Sequence, residues 1–107
     1  MLRNGSYSAW YRTRLREGTG VIVLNDGKIT GGDASLTYTG TYFQNGDQFS
    51  AVVTTRRHTP GPPSVFGIDN FDLTLTGKSA STTASCTGTA KQAPGLAFEA
   101  TLVRMAD

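Results

Sequence analysis

A chain of 107 residues, 37% hydrophobic and 17% charged, is long enough for one domain with a modest core and too rich in aromatics to be a disordered tail. Its formal net charge of +2 is too small to name a partner, and a single cysteine excludes an internal disulfide and fits a reducing compartment. No apolar run approaches the roughly 20 residues of a membrane-spanning helix, and the first eighteen residues lack the apolar stretch of a secretory signal. The expectation is therefore a soluble, cytoplasmic protein without a membrane span.

Sixteen threonines and thirteen glycines favour strands joined by tight corners. Residues 5–16 alternate, with Tyr7, Ala9, Tyr11 and Leu15 on one face and Ser8, Trp10, Arg12, Arg14 and Arg16 on the other. This predicts a strand whose arginines face solvent. With Arg3, four of the ten basic residues lie in the first sixteen positions. They form at most a weak patch for an anionic partner, and a solvated outer face is the plainer account. Trp10 and Tyr11 fall on opposite faces, so only one could stack on a nucleic-acid base, and no nucleic-acid partner is expected.

Glu17-Gly18-Thr19-Gly20 predicts a turn. Val21-Ile22-Val23-Leu24, apolar at every position, predicts a strand covered on both faces: one by the core, the other by a second subunit, or else merely apolar. A homodimer is the expectation. Asn25-Asp26-Gly27 signals a hairpin, because these residues tolerate positive φ. Lys28-Ile29-Thr30 is a short strand that Gly31-Gly32-Asp33 should break.

Residues 36–43 alternate strictly, with Tyr38, Gly40 and Tyr42 on one face and Thr37, Thr39 and Thr41 on the other. A hairpin at 44–47 leads to a strand over 48–57, with Phe49, Ala51 and Val53 inward. Residues 57–68 hold three prolines and two glycines, which exclude a central strand. Long connections of this kind are often lids or binding loops, and Val65 and Phe66 are candidates for the mouth of a cavity. Strands are then expected over 69–77, 82–91 and 96–104, with Phe71, Leu73 and Leu75, then Ala84, Cys86 and Gly88, then Phe98, Ala100 and Leu102 inward. Turns at 78–81 and 92–95 separate them.

About eight sequential strands with short connections predict an all-β fold, an eight-stranded antiparallel up-and-down β-barrel of one domain over 1–107. Closure removes the exposed edges that invite aggregation. Such a barrel is either filled by side chains or holds one small ligand.

Chemistry is sparse. His58, the single histidine, sits beside Arg56 and Arg57 without the partners of a catalytic or zinc histidine. Cys86 is expected inside as a small apolar residue. The carboxylates Asp26, Asp33, Asp47, Asp69 and Asp72 lie in or near turns, where aspartate bonds nearby amides. The glycine pairs open no helix and are not phosphate loops. No catalytic residue, metal site or cofactor is expected. The inward aromatics Tyr7, Tyr11, Tyr38, Tyr42, Phe49, Phe71 and Phe98 are either a packed core or the lining of a cavity with tyrosine hydroxyls as polar handles. The small residues Ala9, Gly40, Ala51, Ala84, Gly88 and Ala100 favour some open volume.

Gly5-x-Tyr7, Gly18-x-Gly20-Val21, Asp26-Gly27-x-Ile29-Thr30-Gly31-Gly32-Asp33, Tyr38-x-Gly40 and Pro63-Ser64-Val65 occur in this order along nearly the whole chain. Together they resemble the GrlR-like family, whose best-known members are negative regulators of type III secretion genes in enteric bacteria. The resemblance implies a lipocalin-like barrel that dimerises and has an interior for a lipid-like small molecule. It also implies regulation through contact with a regulatory protein, a transcriptional activator, rather than with DNA. The loop Gln44-Asn45-Gly46-Asp47 departs from the family, whose enteric members carry several acids there. The functional expectation is a non-enzymatic regulatory or ligand-binding barrel. The alternatives are a filled barrel that acts only through its outer faces, and an enzyme of unrecognised type.

Overall fold

The computed structural model describes residues 1–105. Eight strands follow one another: β1 Gly5–Arg12, β2 Glu17–Asn25, β3 Lys28–Gly32, β4 Leu36–Asn45, β5 Gln48–Arg57, β6 Asn70–Ser79, β7 Thr83–Ala90 and β8 Ala93–Arg104. Each pairs antiparallel with the next, and β8 returns to pair with β1, placing Tyr11 beside Ala100 and Tyr7 beside Arg104. The sheet is thus a closed up-and-down barrel, as the alternating sequence predicts. No helix is long and apolar enough to cross a membrane among the described residues.

Alternation decides which side chains fill the interior. Phe49, Ala51 and Val53 of β5, Phe71, Leu73 and Leu75 of β6, and Phe98, Ala100 and Leu102 of β8 are all buried, as the period-two pattern requires. At the β2–β3 corner, Asp26 (φ 50°) and Gly27 (φ 86°) both take the left-handed conformation of a primed hairpin turn.

Several local expectations are corrected. First, β1 ends at Arg12, and Leu15, expected inside, is 52% exposed. The chain turns at 13–16 because the Thr13 amide bonds the Arg16 carbonyl and the Leu15 amide bonds the Thr13 hydroxyl. Second, Glu17-Gly18-Thr19-Gly20 is the first part of β2 rather than a turn. Its glycines are there for space: a Cβ on Gly18 would lie 2.6 Å from the Tyr11 ring, and one on Gly20 would lie 2.9 Å from the Tyr38 hydroxyl. Third, Gly31-Gly32 continues β3, and β8 begins at Ala93, inside the expected turn.

The two ends of the barrel are closed differently. The lower end holds the N-terminal segment. Leu2 is buried there, donating its amide to Gln44 Oε1 at 2.7 Å and accepting from Gln44 Nε2 at 2.9 Å. The upper end is covered by the connection between β5 and β6. Arg57 ties this loop down by pairing with Asp69 at 2.6 Å and donating to the Thr59 and Pro62 carbonyls. The His58 amide bonds the Ser35 carbonyl, and the Thr13 hydroxyl bonds the Val65 carbonyl.

Candidate functional site

Inside the barrel lies a cavity of about 430 Å³ reaching to the upper end. This falls within the range of small-ligand sites, roughly 300–1,000 Å³. Its deep wall is apolar: Phe49, Val53, Phe71, Leu75 and Phe98 face it, with Ala51 and Ala100 leaving room between them. Its rim is formed by Glu17 and Gly18 of β2, Ala34 and Ser35 of the β3–β4 turn, and Pro62 and Pro63 of the long loop.

Of the aromatics expected to line an interior, Tyr11, Tyr38, Phe49, Phe71 and Phe98 stand on the cavity wall, and Val65 lies at its upper end. Tyr7 does not reach it. That side chain is fully buried towards the lower end, where its hydroxyl donates to the Arg3 carbonyl at 2.6 Å and Arg104 lies over its ring. Tyr42 is off the wall too: half-buried, it stacks on Phe49 and turns its hydroxyl to Asn4. Phe66 is buried rather than at the mouth, packed on Phe71 with ring centroids 4.9 Å apart and stacked on Phe98 at 5.6 Å.

One polar cluster interrupts the apolar lining. Asp33 closes the β3–β4 turn by accepting the Ser35 and Leu36 amides on Oδ1, at 2.9 and 2.8 Å. Its Oδ2 points the other way and accepts the Tyr11 and Tyr38 hydroxyls at 2.8 and 2.7 Å. The two hydroxyls also touch each other. Tyr11 belongs to β1 and Tyr38 to β4. They meet across β2 and β3 because Gly18 and Gly20 leave no side chain between them. The aspartate was expected only as a turn residue. Its sequence signal, Gly31-Gly32-Asp33 before Tyr38, does not show that one oxygen serves the turn and the other the interior.

The electrostatics of the cluster follow from its bonds. Burial acts to raise the Asp33 carboxyl, but hydrogen bonds from Tyr38, the Ser35 amide, Tyr11 and the Leu36 amide outweigh it and hold the group below its ordinary value. Burial raises Tyr38, and its bonds to Tyr11 and Asp33 raise it further. Burial also raises Tyr11; the bond from Tyr38 opposes this, while Asp33 adds to it. Both tyrosines therefore remain neutral hydroxyls at physiological pH.

A carboxyl lowered on folding stabilises the fold above its unfolded value, about 3.9, and that contribution disappears as pH falls through the folded value. Urea unfolding across a pH series should thus show stability declining below about pH 4. Asp33→Asn should be less stable at neutral pH and flatter in acid. An unchanged acid limb in that variant would refute the role.

Of the remaining candidates Cys86 lines the cavity, while His58 and Trp10 lie off it. His58 is exposed, bonding Thr59 and the Asp33 carbonyl. The Cys86 thiol is pushed up to about 11 by burial, which leaves it a poor nucleophile. Trp10 faces outward under the Arg12 guanidinium, 5.4 Å away. No three His, Cys, Asp or Glu side chains gather as a metal site among the described residues. Comparison of the sequence with protein-family models and with curated proteins gives no match.

Proposed function

We propose that this chain is a non-enzymatic binding barrel that holds one small hydrophobic molecule. The observation that carries the reading is the cavity of about 430 Å³, apolar in depth, with a polar cluster where Asp33, Tyr11 and Tyr38 meet. The state of those groups supports binding over catalysis. A carboxylate lowered by four hydrogen bonds is a weak base, and tyrosines raised by burial are weak acids.

The resemblance to GrlR-like regulators extends the proposal to a cytoplasmic role in negative regulation through contact with an activator protein. A homodimer is part of the same reading. Val21 and Val103 both neighbour Ser8 on the outer face and, with Val23, make an apolar stripe across β8, β1 and β2. This stripe is the proposed subunit contact.

Titration with an uncharged, environment-sensitive dye, N-phenylnaphthylamine, tests the ligand reading. Saturable uptake of one dye per chain is expected. Fluorescence that rises without saturating, or does not rise, would overturn it.

A further inference from the structure

We infer that the upper end of the cavity selects ligands whose polar head donates hydrogen bonds and carries no negative charge, such as a long-chain alcohol or amine. This rests on the ligand-binding reading above and adds the chemistry of the head group.

The argument starts from where the protons point. Asp33 Oδ1 is occupied by two backbone amides, and Oδ2 accepts both tyrosine hydroxyls. A tyrosine hydroxyl has one proton. Two protons serve the three contacts among Tyr11, Tyr38 and Asp33 Oδ2, so whichever way they point both are used within the cluster and the hydroxyls have only lone pairs left to offer. A ligand group meeting them must therefore donate.

The charges agree. Among the described residues lining the cavity the carboxylates are Asp33 inside and Glu17 at the rim, and no lysine, arginine or histidine joins them. A carboxylate or phosphate head would face like charge in an apolar surround and find no cation to answer it.

A further hydroxyl lines the same cavity. Thr55 lines the cavity and is 1% exposed. It lies in register with Tyr38 on one side and Phe71 on the other. Its hydroxyl takes part in none of the bonds that hold the Asp33 cluster together. The Tyr38 hydroxyl reaches the other way, towards Gly20 of β2, so Thr55 is a second hydroxyl on the cavity wall apart from that cluster. Tyr11 and Tyr38 fix the donor requirement.

Displacement of N-phenylnaphthylamine from the full-length chain at neutral pH tests the inference with three competitors of equal chain length: dodecanol, dodecylamine and dodecanoate. Dodecanol and dodecylamine should displace the dye at concentrations at least about tenfold lower than dodecanoate. Dodecanoate competing as well as the other two would overturn the head-group inference and leave the binding reading standing. No dye uptake by the unmodified chain would overturn both.

Discussion

Tyr7→Ala is expected to lower the unfolding free energy by about 3–5 kcal/mol, the range for deleting a buried aromatic. Tyr7 is fully buried, closes the lower end of the barrel and sits between β2 and β8, opposite Ile22 and Arg104. Its ring supports the Arg104 guanidinium, and its hydroxyl holds the Arg3 carbonyl, so the loss would loosen the N-terminal segment as well as open a void. For a domain of this size the thermal midpoint should fall by more than about 10 °C. Tyr7→Phe separates the two contributions. It keeps the ring and removes one hydrogen bond, and should cost only about 1 kcal/mol. Urea denaturation of both variants checks the expectation. Equal losses would mean that the hydroxyl, not the ring, anchors this end.

The second large effect concerns the cavity itself. Ala100→Phe is expected to reduce dye binding by at least about tenfold while shifting thermal stability little. Ala100 lies on the cavity wall, beside Tyr11 on β1 and Cys86 on β7. In a filled interior the added ring would overpack the core and cost about 1–3 kcal/mol. In an open one it enters existing space, and its buried area offsets part of the strain. The pairing of lost binding with retained stability therefore distinguishes an open barrel from a filled one. A calorimetric scan beside the dye titration reads both quantities on one sample.

Much of this fold was legible because alternation maps directly onto inward and outward faces. The stretch from Leu36 to Phe43, the strand at β5 and the hydrophobic triplets of β6 and β8 each place their side chains where period two requires. Two of the errors arose where glycine plays a role other than turning the chain. Gly18 and Gly20 looked like a corner, yet they are strand residues whose missing side chains admit Tyr11 and Tyr38. That space is a property of neighbouring strands and has no local signature. The candidate site was half legible for the same reason. The aromatic wall followed from alternation, whereas Tyr7 and Tyr42 share its inward pattern but lie at other heights in the barrel, and Phe66, expected at the mouth from its place in the long loop, packs behind the wall. Height depends on strand stagger, which alternation alone does not set. The second role of Asp33 was hidden because turn chemistry already accounts for an aspartate after two glycines.

Native mass spectrometry of freshly purified protein tests the central claim most directly, since gentle transfer preserves both subunit pairing and retained small molecules. The account predicts a species heavier than the bare polypeptide by one small-molecule mass per chain, released on collisional activation. It also predicts that donor-headed lipids without negative charge added to the ligand-free protein restore that mass. A chain that carries no small molecule and takes up none of the added alcohol, amine or acid would contradict it.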